Sequence, residues 1–549
     1  MVRPLALVSS LLVVAAAFAS AGVISEPVLK WQRGGCYTSW CETGWYSSPA
    51  IVDVDGDGIG EVVASAYSIV ALEGADGALI WRAASGHDVT EPGAANVGRT
   101  WPGIAVADVD GDGTLELVTA HGGGWVSVYT LAGVFEPGWP VQPVANELRS
   151  LSLGDLDRDG TFEILVGAAR GSNENAWVLE HTGAVRPGWP QVGAGGGGYS
   201  WGIYGATTAI ADLDGDAELE LLVPSDVHYA CAYQPNGAHI PAAAPYAPRT
   251  WGQVGLWVDP IPEERGWGAC DGTPVESWRT NMAEGPATVA DLDGDGATEI
   301  VITGRTYDCT SGETTLFHGV YVLNHDRTRF NGAAGDWTHV PTNQGAPLSM
   351  DYNVIESAQP APAVADLDGD GVLEIVYSDF AGKVHAFWLD RTEHGSWPVS
   401  VYSAAAGYYR YASEPAIVDL DGDGADEVLV ATWTQHGSSA AGTLLVISGT
   451  GAVLHTVEIP IGPGSPDWGG ALAAPTLGDI DGDADLEVVL QTATAGVVAF
   501  DLPGSSGARV RWPTGRGSFL RAGTPEPLLF TDGFERGTTG AWSSTVGDS

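Results

Sequence analysis

Apolar runs of three to six residues recur along the chain, broken by glycine, proline and aspartate, and none holds a helical period for long. One run is Ala361-Pro-Ala-Val-Ala365 and the next is Ile375-Val-Tyr-Ser378. Between them lies Asp366-Leu-Asp-Gly-Asp-Gly-Val-Leu-Glu374. Two β-rich runs on either side of a tight, glycine-containing stretch predict strand, acidic loop, strand. The arrangement occurs eight times, with 47 to 79 residues between successive first aspartates, which is room for four short strands per unit. In the second unit strands are expected near 103–108, 115–120 and 125–129, with a fourth from Gly138-Trp-Pro. In the third they are expected near 151–155, 163–167 and 176–180, with a fourth from Gly188-Trp-Pro. Ser396-Trp-Pro and Arg511-Trp-Pro read as the same ending in units six and eight.

Repeated four-stranded units of this size predict an all-β chain folded as a β-propeller, with eight four-stranded blades and seven as the alternative. A blade cannot bury both of its faces alone, so closure of the ring buries each against its neighbours. Trp139, Trp189, Trp397 and Trp512 are expected to fill the contacts between blades.

The spacing of the acids suits a hard cation. Calcium takes six to eight oxygens from carboxylates, backbone carbonyls and water. Position 1 of the nine-residue loop is Asp53, Asp108, Asp155, Asp212, Asp291, Asp366, Asp419 and Asp479. Position 3 is Asp55, Asp110, Asp157, Asp214, Asp293, Asp368, Asp421 and Asp481, and position 5 is Asp57, Asp112, Asp159, Asp216, Asp295, Asp370, Asp423 and Asp483. Position 9 is Glu61, Glu116, Glu163, Glu220, Glu299, Glu374, Glu427 and Glu487. Position 7 is expected to add a backbone carbonyl, from Ile59, Thr114, Thr161, Glu218, Ala297, Val372, Ala425 and Asp485. Up to eight Ca2+ ions are expected. An EF-hand is rejected because it needs its glutamate at position 12 and helices on both sides. Solvated hairpin tips would explain one such loop, but eight clusters of four mutually repelling carboxylates call for a counter-ion. Glycine at position 6 gives the turn its freedom, and Ala217 and Ala484 stand there in loops four and eight.

Composition extends this picture. The 549 residues carry a net charge of −46, and positions 1, 3, 5 and 9 of the loops hold 32 of the 69 acids, so eight calcium ions would leave −30. Nucleic acid and anionic membrane are poor partners for such a surface. Residues 1–21 have the form of a signal peptide, with Arg3, an apolar core from Leu5 to Phe18 and small residues for cleavage; the core is too short to span a bilayer. The chain is then expected to be secreted or held at the cell surface. Residues 22–47 are expected to be an irregular lead-in, 48–522 the propeller, and 523–549 a tail that serves as a sorting segment or is simply a frayed end. Of the five cysteines, Cys36 and Cys41 suit a local disulfide; one of Cys231, Cys270 and Cys309 is left over, which one the sequence does not fix, with Cys270–Cys309 the favoured pair.

The eight strand–DxDxDGxxE–strand units resemble the FG-GAP or VCBS repeat, as in the propeller of integrin α-subunits and in many secreted bacterial proteins. The resemblance covers about 48–522 and implies a calcium-bearing propeller with a role in adhesion. Integrin-type propellers have seven blades, against a count of eight here, and the Phe-Gly and Gly-Ala-Pro signatures are mostly absent.

In an up-and-down blade the acidic loops share one face, and the long connections lie on the other. Those connections are rich in aromatics. Trp101, Trp201, Tyr204, Tyr409, Tyr411 and Trp468 are expected to meet a protein or glycan ligand outside the cell, the alternative being that such rings pack loops together. Arg99, Arg149, Arg279 and Arg410 lie nearby and would suit an acidic ligand or neighbouring carboxylates. No nucleophile elbow, zincin motif or phosphate loop is present, and no catalytic residue is assigned. A uronate lyase, with His121, His228 and His436 on the same face, and a purely structural surface component are the alternatives.

Overall fold

A computed structural model describes residues 23–525, except 35–43, 45, 66–67, 85–99, 170–173, 192–201, 204–207, 225–229, 255–286, 308–315, 339–347, 350–353, 355–359 and 463–467. The expected signal peptide, Cys36, Cys41, Cys270, Cys309, Arg99, Arg279, His228, Trp201, Tyr204 and the tail beyond 525 therefore lie outside the described residues.

Among the described residues the chain forms eight antiparallel sheets. The first holds Ala50–Val52, Glu61–Ser65, Ser68–Leu72 and Leu79–Ala84. The second holds Ala105–Ala107, Glu116–Ala120 and Val126–Thr130, and the third Leu148–Gly154, Glu163–Ala168 and Ala176–Leu179. The fourth holds Ala209–Ala211, Glu220–Pro224 and Ala230–Tyr233, and the fifth Ala287–Ala290, Glu299–Tyr307 and Leu316–Asn324. The sixth holds Ala363–Ala365, Glu374–Ser378, Lys383–Phe387 and Val399–Ser400. The seventh is built on Ala416–Asp419, Glu427–Thr434, Thr443–Ile447 and Val453–Glu458, and the eighth on Thr476–Gly478, Leu486–Gln491 and Val497–Leu502.

Four strands per unit is met in part. Sheets two to five have three strands each. At the expected fourth strands of sheets two and three there are single bridges, Val126 with Val141 and Ala176 with Gln191. Pro140 and Pro190 precede those bridges, and a proline has no N–H to extend a ladder.

Strand interiors are buried on both faces, as in Glu61–Ser65 and Glu163–Ala168. The reason is sheet-on-sheet packing. Residues of sheets one and two share one apolar cluster, two and three another, three and four, and four and five, likewise. Sheets five, six and seven share a cluster, seven and eight share one, and the eighth packs on the first through Ile51, Val62, Ile480 and Val489. Each buried Val, Leu or Ile contributes about 1.5–3 kcal/mol of transfer free energy. The first strands of sheets one to seven touch in succession, that of the first sheet touches that of the eighth, and Arg509–Trp512 lies along that of the seventh, so these strands line a common centre.

Tryptophans staple neighbouring sheets at the outer rim. The indole N–H of Trp139 donates to His181 O at 3.3 Å, that of Trp189 to Pro235 O at 3.0 Å and that of Trp397 to Gly449 O at 2.8 Å. Each acceptor belongs to the following sheet, as expected. Trp31 to Gly74 O at 2.6 Å and Trp337 to Leu389 O at 3.0 Å are two further staples that lack the Trp-Pro signature and were not expected. A buried indole needs such an acceptor.

Two segments depart from the sequence reading. Residues 28–33, expected within an irregular lead-in, form a strand that pairs with Val497–Leu502 as the outer strand of the eighth sheet. Arg511-Trp512-Pro513, expected as an outer blade ending, lies at the centre instead. Arg509–Trp512 pairs with the inner strand Ala416–Asp419, and Trp512 is fully buried. The chain then crosses the centre. The N–H groups of Leu477, Val106, Leu153, Ile210 and Val289, all on first strands, donate to the carbonyls of Pro513, Phe519, Leu520, Ala522 and Gly523 at 2.8–3.0 Å. Inner strands would otherwise present unpaired edges, and the segment satisfies them.

Candidate metal centres and the opposite face

The eight acidic loops share one internal hydrogen-bond pattern. The closing glutamate is buried in every loop, at 0–5% exposure, because it begins a core strand. Its Oε2 accepts the N–H of the loop's second residue: Val54, Val109, Leu156, Leu213, Leu292, Leu367, Leu420 or Ile480, at 2.7–3.0 Å. The first aspartate accepts the N–H of position 6 on Oδ2 in all eight, at 2.9–3.2 Å. The fifth-position aspartate accepts the N–H of position 7 on Oδ1, at 2.8–3.0 Å. These bonds fold the carboxylates inward. Ligand oxygens of Asp53, Asp55 and Glu61 lie within 4.8 Å of one another, as do those of Asp155, Asp157 and Glu163, and of Asp291, Asp293 and Asp295.

Position 6 has a left-handed backbone throughout, for example φ +87° at Gly371. Ala217 and Ala484 adopt the same conformation, φ +71° and +72°, and so does Arg158 at position 4 of loop three, φ +58°. The loop shape is thus kept where glycine is missing, at the steric cost an L-residue carries there.

Burial, seconded by the aspartate charges, pushes the closing carboxyls up to about 7 for Glu61, Glu116, Glu220 and Glu299 and to about 8 for Glu374 and Glu427. Glu374 Oε1 and Asp108 Oδ1 are buried and have no hydrogen-bond partner. Orphaned, charge-bearing oxygens inside a ring of carboxylates fit a divalent cation, since an unpaired buried charge is costly. Positions 1, 3, 5 and 9 would hold it, and it would supply charge neutralisation and cross-linking of the two strands.

Loops three and eight differ. Arg186 Nη2 donates to Asp157 Oδ2 at 3.0 Å, and Nη1 lies 3.1 Å from Glu163 Oε1, an ion pair by distance whose angles are not those of a hydrogen bond. Lys30 Nζ donates to Asp481 Oδ2 and, at 3.0 Å, to Glu487 Oε1.

The other end of the sheets carries aromatics. Trp433 follows Glu427 by six residues of strand, about 20 Å at 3.3 Å per residue. It packs with Phe380, Tyr411 and Leu472, and the partly buried Tyr46, Tyr409 and Trp468 cover this cluster. Ring centroids of Trp433 and Trp468 are 6.2 Å apart, and those of Tyr402 and Tyr409 5.7 Å. Tyr46 meets Trp101 edge-on at 4.7 Å, and Arg149 lies 4.1 Å over Trp101. Of the expected ligand residues, Trp101, Tyr409 and Trp468 are partly exposed, whereas Tyr411 is 1% exposed and packs loops together. Arg149 and Arg410 are held by protein groups, Glu147 and Trp101 for one, Tyr408 and the Ala441 carbonyl for the other. His121 is buried among the hydroxyls of Thr100, Thr119 and Ser127.

Sheets ranged about a filled centre, with acidic hairpins at one end, define a propeller-like all-β protein. The sequence comparison finds FG-GAP-like repeats at residues 108–166 and 366–430, so the chain carries repeats of that kind. A comparison with curated protein sequences found no match. Among solved structures it is similar to the V. cholerae biofilm matrix protein Bap1, with 15% identity, 93% of this chain and 96% of that one covered, and a TM-score of 0.52. It is also similar to a quinohemoprotein alcohol dehydrogenase of Pseudomonas putida (14% identity, 87% and 76% covered, TM-score 0.47) and to BamB of Moraxella catarrhalis (13%, 82% and 96%, 0.44). Among the described residues no helix is long and apolar enough to cross a membrane.

Proposed function

We propose that the protein is a secreted, calcium-stabilised propeller of eight blades that acts outside the cell as an adhesion or ligand-binding protein. Its ligand is a protein or glycan, seated on the loop face opposite the acidic loops. Residues 1–21 are the signal peptide, the strand 28–33 closes the ring, and the tail is a sorting segment. Calcium loads the acidic loops and fixes one end of every blade; the other end presents the ligand surface.

The grouping of partly exposed rings on one end carries the reading. Tyr409 and Trp468 cover the buried Trp433 cluster, and Trp101 stands beside Tyr46. Aromatic faces on a rigid scaffold give large contact area at low entropic cost, which suits sugar and peptide ligands. An array of glycans and extracellular proteins, probed with wild type and with a Tyr409→Ala/Trp468→Ala variant, tests it. Binding that is lost in the variant supports the face, and unchanged binding removes it. The calcium half is tested by thermal melting during a calcium titration, since a ligand of the folded state alone must raise the midpoint.

A further inference from the structure

The eight loops are alike in sequence but not in what fills them. In loop six Glu374 Oε2 takes the Leu367 N–H, and Oε1 is left without a partner. In loop eight Glu487 Oε2 takes the Ile480 N–H, and Oε1 takes Lys30 Nζ at 3.0 Å, which also reaches Asp481. Lys30 is remote in sequence and comes from the strand that completes this sheet. In loop three Arg186, from the segment that follows the third sheet's last strand, reaches Asp157 and Glu163 and is backed by Glu180 at 3.2 Å. At both places a cationic side chain bridges the third and ninth positions, two of the carboxylates a metal would need. In loops two and four the closing Oε1 accepts only neutral groups, the Thr114 hydroxyl for Glu116 and the Gln234 amide for Glu220, each at 3.3 Å.

We propose that loops three and eight are filled by the chain's own cations, Arg186 and Lys30, so that six of the eight loops take calcium. This rests on the calcium reading above. An ammonium or guanidinium within hydrogen-bond distance of these oxygens repels a divalent ion and engages its donors. The tethered cation has a structural consequence at loop eight. Lys30 belongs to the strand that joins the N-terminal region to the last sheet, so that closure does not wait for metal, whereas loops bearing orphaned oxygens do.

Native mass spectrometry of the mature chain in calcium, with wild type, Lys30→Met and Arg186→Met, reads the number of bound ions. Each substitution is expected to raise the count by one over wild type; equal counts in all three overturn the proposal. A second measurement needs no variant. The chain has two lysines, Lys30 and Lys383, so amine labelling is read cleanly by peptide mapping. Lys30 is expected to stay protected with and without calcium, and labelling of Lys30 that rises on adding calcium means that the ion displaces it and overturns the proposal. If wild type binds no calcium, the calcium reading fails on its own. Protection of Lys30 then still upholds its place in loop eight, and free labelling removes it.

Discussion

The guanidinium of Arg521 donates through Nη2 to the carbonyl of Ile104 at 2.7 Å, across 417 residues of chain. The same group reaches the carbonyls of Pro49 and Gly515 and the hydroxyl of Thr514, and it is fully enclosed. Arg516 likewise donates to Thr208 O at 2.6 Å and Ala287 O at 2.7 Å, and its own N–H donates to Glu414 Oε1. The C-terminal part of the described chain is thus a cork tied to inner strands and the turns that lead into them. It fills the space between the described inner strands.

Removing one of these ties should be expensive. Arg521→Met leaves several buried carbonyls without a donor and Glu414 with one charge fewer beside it. A loss of about 3–5 kcal/mol is expected, the scale for breaking a buried charged network. Denaturant unfolding measures it, and a loss under about 1 kcal/mol would show that the cork is ornamental.

The closing glutamates predict how metal-free protein responds to pH. Their carboxyls stand at about 7 to 8 in the folded chain and near 4.5 in the unfolded one. Between those values the folded state holds protons that the unfolded state has released, so stability falls as pH rises through this window. In a chelator the melting temperature should drop from about pH 5 to pH 8. With saturating calcium, which holds the carboxylates ionised, the drop should vanish or reverse. A chelator profile flat over that range contradicts the burial argument.

His385 gives a second test of the same sign, in a higher pH window and on a group away from the acidic loops. Burial works against its charge, but hydrogen bonds to Asp379 at 3.1 Å and Glu393 at 2.9 Å prevail and raise it to about 9. The imidazolium contributes stability that is complete below about pH 6.5 and is lost as pH rises through 9. Calcium-loaded wild type should therefore lose stability over that interval more steeply than His385→Gln. Parallel melting profiles would refute it.

Ala217→Gly and Ala484→Gly should each stabilise the protein by about 1 kcal/mol, by relieving an L-residue in the left-handed region. Gly371→Ala makes the converse case. A Cβ there meets nothing within 4 Å, so its cost, again about 1 kcal/mol, is conformational alone. Calorimetry of the three variants checks both directions.

Periodicity revealed the acidic loops and the strands on either side of them because both are local: nine residues set the turn, and the next five enter the core. The strands expected at 115–120 and 163–167 are found at Glu116–Ala120 and Glu163–Ala168. What sequence reading lacked was any sense of where a short strand goes once made. Trp397 and Trp512 both precede proline, yet one staples two rims and the other lies at the centre. Trp31 staples as Trp397 does, without the proline that made the latter visible.

By itself, then, the sequence determined the all-β class, the repeated acidic hairpins and the positions of their carboxylates, since each depends on residues within one turn of chain. Only the tertiary structure decided that residues 28–33 complete the last sheet, that 509–523 fill the centre, and that Lys30 and Arg186 reach acidic loops. Those pairings join residues up to several hundred positions apart. They follow from unsatisfied strand edges and uncompensated charges meeting in space, which no local pattern records.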